Sequence, residues 1–186
     1  MRAHLPNIFT IGRIVLIPPF ALLFFLGDPV SRWVAFGLFA AAAITDWFDG
    51  WLARRLNAGS ALGRMMDPIA DKLLVTTAIL IAVATGLVSG WTVAAALAIL
   101  LREIAVSGFR EHLGPIGVVV HVTRLAKWKT ATQFTALAML VVPLGPQVAL
   151  LGTVLLWVAA VLTVVTGYGY MVATVTALTN SDKRKP

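Results

Sequence analysis

The chain has 186 residues, 59% hydrophobic and only 12% charged, with a mean hydropathy of +0.89. A soluble domain carries about twice that charged fraction, so composition reads as a single all-α integral membrane domain over residues 1–186, with no room for a second, globular one. There is no cysteine, which excludes disulfides, thiolate metal sites and a cysteine nucleophile. The net charge of +7 invites a nucleic-acid reading, but the basic residues sit at helix ends and in short loops, as the positive-inside rule predicts.

Six apolar segments are predicted, each near the roughly 20 residues that cross a bilayer. They fall at about 8–27, 33–56, 63–86, 90–113, 125–143 and 148–177. The first follows Arg2 and loosely resembles a signal peptide, but Leu26-Gly27-Asp28-Pro29 is a turn and not a small-residue cleavage site, so a retained helix is expected. Pro18-Pro19 should kink it. Turn signals separate the rest: Asn57-Ala58-Gly59-Ser60, Gly86 to Gly90, Gly114-Pro115 and Pro143-Leu144-Gly145-Pro146. Arg2, Arg13, Arg54, Arg55, Arg64, Arg102, Arg110, Arg124, Lys127, Lys129 and the basic tail gather on one side and Arg32 on the other. That bias predicts a multi-pass protein of the cell (inner) membrane with both termini cytoplasmic.

The second and third segments carry the chemistry. Asp46, Asp49, Asp67 and Asp71 are four of the chain's eight acidic residues. They are spaced i, i+3 and i, i+4, so each pair shares a helix face. Both pairs fall at the cytoplasmic ends of their segments. A structural reading would pair them with Arg54, Arg55 and Lys72, yet surplus negative charge remains, and carboxylates so dense need a cation. Oxygen-only ligands favour Mg²⁺ or Mn²⁺, and four carboxylates can hold two ions, a device for clamping phosphate during in-line displacement. Gly50 and Gly63 permit close approach of a ligand, Ala53 leaves space, and Arg54 supplies a phosphate-pairing fork.

Asp46-x2-Asp49-Gly50-x2-Ala53-Arg54, eight residues, then Gly63-x3-Asp67-x3-Asp71 resembles the signature of the CDP-alcohol phosphotransferases at every fixed position. The resemblance implies a fold of six transmembrane helices, usually homodimeric, with two divalent metal ions. It implies a CDP-linked lipid donor and release of CMP when an alcohol attacks the lipid phosphate. By the same resemblance Asp46, Asp49 and Asp67 are metal ligands, and Asp71 is both a ligand and the general base.

The fourth and fifth segments concern the acceptor. Arg102, Arg110, Lys127 and Lys129 would lie near the aspartates on the same side. As a group they would suit a doubly charged acceptor phosphate; singly, each could be a snorkelling anchor. Leu101 to Glu111, Leu125 to Gln133 and the opening Leu5 to Arg13 resemble phosphatidylglycerophosphate synthases, departing at Ala126, where that family has glycine. The resemblance implies CDP-diacylglycerol as donor and sn-glycerol 3-phosphate as acceptor, with Asn7 and Thr10 lining the nucleotide pocket. Alternatives are the same chemistry on inositol phosphate, serine or phosphatidylglycerol, or a cation-coupled transporter. The transporter reading expects broken helices and internal repeats near the midplane; this sequence shows neither, and its acids sit at the cytoplasmic end.

Overall fold

The structure, a computed structural model, describes residues 5–56, 61–114 and 124–182, with side chains at 10–45, 65–111, 113–114, 124–176 and 178–179. Six helices follow in order among the described residues: α1 Leu5–Leu26, α2 Pro29–Leu56, α3 Ala61–Ala84, α4 Thr92–Leu113, α5 Arg124–Val141 and α6 Pro146–Asp182. They match the six predicted segments, and no strand occurs among those residues. Two of them, over Thr92–Glu111 and Pro146–Thr176, are long and apolar enough to cross a membrane, and Thr10–Leu26 and Pro29–Thr45 are shorter apolar stretches. In α2 and α3 the apolar runs are interrupted at one end by the residues that carry chemistry.

Helix ends follow local chemistry. Gly27 takes φ +76, and Asp28 then accepts a hydrogen bond from the Ser31 N–H at 3.0 Å. Asp28 therefore caps α2, and Pro29 takes the first helical position, where a missing N–H costs nothing. The cap starts α2 about four residues earlier than hydropathy predicts, because a cap is a polar signal. Gly145, at φ +95, and Pro146 repeat the arrangement before α6. Pro18 and Pro19 lie inside α1, which continues through both.

Packing uses small residues and aromatic rings. Between helices in lipid there is little hydrophobic drive, so close approach and dispersion hold the bundle. Ala35, Ala42, Ala78, Ala95, Ala136 and Ala159 are fully buried. Gly152 brings α6 onto α5 so closely that a Cβ there would sit 3.1 Å from the Ala136 carbonyl oxygen and from Leu140. Phe20 joins α1 to Phe39 of α2 at 5.7 Å between ring centroids, and Phe39 reaches Phe134 of α5 at 6.2 Å.

One consequence of the helix order positions the site. Antiparallel neighbours put the starts of α1, α3 and α5 at the same end as the ends of α2, α4 and α6. The described charged side chains of α1, α3, α4 and α5 fall at that end. At the opposite end Arg32 lies over the Phe24 ring at 5.1 Å.

Candidate functional site

The buried stripe of α1 runs Thr10, Arg13, Ile17, Phe20, Phe24. Its apolar end packs in the core, and its polar end faces α3. The corresponding stripe of α3 runs Asp67, Asp71, Leu74, Ala78, with the carboxylates half-buried and the apolar pair buried. The stripes meet as two rungs one helical turn apart. The Thr10 hydroxyl donates to Asp67 Oδ1. Arg13, whose side chain is only 1% exposed, donates from Nη1 to Asp71 Oδ1 at 2.5 Å. A buried guanidinium without a partner carries a large desolvation cost, so Arg13 and Asp71 hold each other in place. Thr10, which the resemblance implies lines the nucleotide pocket, is bonded to the Asp67 carboxylate. Arg13 was expected only as a topological marker, because charge bias treats every basic residue alike. Its i, i+3 spacing from Thr10 places both on one helix face, as the i, i+4 spacing does for Asp67 and Asp71, and was the available signal.

These carboxylates open onto a cavity of about 600 Å³. Its α3 side carries Asp67, Asp71 and Lys72. The Lys72 ammonium donates to the Pro68 carbonyl at 3.0 Å, within its own helix. The facing side comes from α4, through Arg102, Glu103, Ser107, Arg110 and Glu111, and from α5, through Ala126, Lys129, Thr130 and Gln133. The α5 set is i, i+3, i+4, i+7, one helix face. Among the described residues four cations and four carboxylates line the cavity, with three of the cations on the α4–α5 side.

Lys129 is buried and bonded to Glu103 Oε1, and Arg102 Nη1 lies 3.4 Å from the same oxygen. Glu103 thus ties two of the expected phosphate cations together, which the sequence reading missed. Gln133 is 2% exposed, and its Oε1 has no partner among the described residues. The four expected acceptor residues divide three to one. Arg102, Arg110 and Lys129 line the cavity, whereas Lys127 is exposed and lies off it. Two residues along a helix rotate the side chain by roughly 200°, so Lys127 and Lys129 cannot share this face.

Asp46 and Asp49 lie one turn apart in the closing turns of α2. Their side chains, with those of Asn7, Ala53 and Arg54 and the surroundings of Gly50 and Gly63, lie outside the described residues. Among the described residues no group of three metal-ligating side chains is gathered. Asp67 and Asp71 do fit a hard divalent cation: they are oxygen donors one turn apart, they face the cavity, and no histidine or cysteine lines it among the described residues.

A family model described as CDP-alcohol phosphatidyltransferase matches residues 3–165. The chain is 44% identical over 176 residues to the CDP-diacylglycerol–glycerol-3-phosphate 3-phosphatidyltransferase of Rickettsia bellii, covering 91% of this chain and 94% of that one. It is 40% identical over 165 residues to the Shigella flexneri protein of the same name, covering 88% and 90%. To the one from Cereibacter sphaeroides it is 34% identical over 209 residues, covering 91% and 95%.

Proposed function

We propose a reaction for this chain that proceeds from its family: it belongs to the CDP-alcohol phosphatidyltransferases. The chain is a membrane enzyme that transfers a phosphatidyl group from CDP-diacylglycerol to sn-glycerol 3-phosphate, giving phosphatidylglycerol phosphate and CMP. Relatives carrying that activity in their names align over about nine-tenths of its length. The observation that carries the assignment to this cavity is its division into an α3 side bearing Asp67 and Asp71 and an α4–α5 side bearing Arg102, Arg110 and Lys129.

The donor's pyrophosphate belongs on the acidic side. Enzymes of this family generally depend on divalent metal ions, and here Asp46, Asp49, Asp67 and Asp71 would hold two, Mg²⁺ or Mn²⁺. When bound, such ions neutralise the pyrophosphate and stabilise the departing CMP phosphate. Asn7, Thr10, Asp49, Gly50, Ala53, Arg54 and Gly63 are proposed to border the nucleotide. Thr10 does so through Asp67, whose carboxylate it orients.

The acceptor's phosphate belongs on the basic side, where Arg102, Arg110 and Lys129 face it. A doubly charged phosphate placed there leaves the far hydroxyl of a three-carbon acceptor directed toward α3. That hydroxyl oxygen bonds to the lipid phosphorus as the bond to CMP breaks. Its proton passes to the Asp71 carboxylate, which Arg13 holds in orientation. Binding one substrate against each side makes the attack effectively intramolecular.

The site is proposed to face the cytoplasm across the cell (inner) membrane, in a homodimer surrounded by membrane lipid. The reaction is tested by following CMP release from purified protein in mixed micelles with CDP-diacylglycerol, Mg²⁺ and a panel of acceptors. Glycerol 3-phosphate should support turnover, and serine and glycerol should not. Turnover on an uncharged acceptor equal to that on glycerol 3-phosphate would remove the role given to the basic side.

A further inference from the structure

The two arginines of the basic side are long side chains on one helix, and α4 alone does not fix them. Both are met by the same face of α6. Arg102 Nη2 lies 3.5 Å from Thr166 Oγ1. That hydroxyl donates to the Leu162 carbonyl at 2.7 Å, which leaves its oxygen available to accept from the guanidinium. At the next position the stem of Arg102 lies against bare backbone: a Cβ on Gly167 would stand 3.0 Å from Arg102 Cγ. One turn further on, the Arg110 guanidinium lies over the Tyr170 ring, 5.7 Å from its centroid, and Tyr170 is buried. Thr166, Gly167 and Tyr170 are spaced i, i+1, i+4, so they form one patch on one helix face. The cavity lining includes both arginines and none of these three. The patch therefore stands behind the guanidinium groups and outside the site. It also lies beyond residue 165, where the match to the family model stops.

We propose that Thr166, Gly167 and Tyr170 form a positioning platform on α6 that holds Arg102 and Arg110 toward the acceptor's phosphate and so sets affinity for that substrate. Each contact does a different job. Gly167 lets the Arg102 stem lie flat against α6. Thr166 accepts one guanidinium hydrogen, which fixes the rotation of the fork. The Tyr170 ring attracts the Arg110 cation and restricts it to one side of the helix. An arginine held in place loses less conformational freedom when phosphate arrives, so pre-organisation appears as affinity. The proposal rests on the reading that Arg102 and Arg110 bind the acceptor phosphate.

The test is steady-state kinetics in mixed micelles with each substrate varied in turn, on Tyr170→Leu, Tyr170→Phe, Gly167→Ala and Thr166→Val beside Arg102→Ala and Arg110→Ala. Tyr170→Leu should raise the glycerol 3-phosphate KM by about 3- to 10-fold. Tyr170→Phe keeps the ring and should restore a near wild-type value. Gly167→Ala should raise the same KM by displacing Arg102, and Thr166→Val should raise it less. The KM for CDP-diacylglycerol should stay put in all four, which also reports that each variant is folded. If Arg102→Ala and Arg110→Ala raise the acceptor KM while the α6 variants do not, the platform is overturned and the acceptor site stands. If neither arginine variant changes it, both are overturned. An equal loss in Tyr170→Leu and Tyr170→Phe, or a fall in kcat at constant acceptor KM, also overturns the platform.

Discussion

The two sides of the cavity are held by different means. On α3, Asp67 and Asp71 are met from the neighbouring α1, by Thr10 and the buried Arg13. On α4 and α5 the cations are held collectively: Glu103 bonds Lys129 and lies near Arg102, while α6 contacts Arg102 and Arg110 from behind. The carboxylates are short side chains, oriented by a helix packed against their own. The cations are long side chains and share their supports among α4, α5 and α6. Loss of a support on the first side should therefore damage turnover, and loss on the second should damage acceptor affinity.

The largest effects are expected on the α3 side. Asp71→Asn keeps the size of the side chain and one ligating oxygen but removes the proposed base, so turnover should fall by roughly 10²–10⁴-fold. CDP binding should survive in this variant, as calorimetric titration would show. Asp46→Asn and Asp67→Asn should weaken CDP binding itself, and chelation of divalent ions should silence the wild type. Undiminished CMP release with chelator present would break the metal assignment.

Next comes Arg13. Arg13→Ala removes a charge-assisted bond worth about 1.5–3 kcal/mol, so turnover should drop about 10- to 100-fold with little change in the glycerol 3-phosphate KM. A variant whose only defect is acceptor affinity would merge the two sides into one network.

On the basic side, Lys129→Ala should raise the acceptor KM by about 10- to 100-fold and leave the donor KM unchanged. Lys127→Ala is the control: its exposed position off the cavity predicts kinetics within about twofold of wild type, the scale of a surface change. Equal effects at the two lysines would mean that helix phase does not decide which one meets the substrate.

The smallest effect concerns the cap of α2, far from the cavity. The Ser31 hydroxyl and N–H hold the Asp28 carboxyl below the usual carboxylate range. A lowered folded value means the contribution is present above the ordinary carboxylate range and is lost as pH falls through the lowered one. Asp28→Ala should melt slightly below wild type at neutral pH, with the gap closing in acid. A gap that widens on acidification would contradict the cap.

Helix order and the identity of the acidic motif were legible in the sequence, because hydropathy marks segments and fixed spacing marks a shared face. The residues that hold the motif were less so. Arg13 looks like any other interfacial cation until α1 packs on α3, and a burial of that kind is a property of two helices together. Glu103 was visible as a letter beside Arg102, but its bond to Lys129 joins residues 26 positions apart. The difference between Lys127 and Lys129 could have been read from helix phase alone. Asp46 and Asp49 were legible as a spacing, and α2 continues through both to Leu56.

The division of labour between the two sides is tested most directly by measuring both KM values and kcat for Arg102→Ala and Asp67→Asn in the same micelles. The account predicts that Arg102→Ala raises the glycerol 3-phosphate KM about 10- to 100-fold and leaves the CDP-diacylglycerol KM in place. It predicts that Asp67→Asn loses donor binding and turnover with the acceptor KM unmoved wherever residual activity can be followed. A defect of Arg102→Ala that falls on CDP-diacylglycerol instead would contradict it.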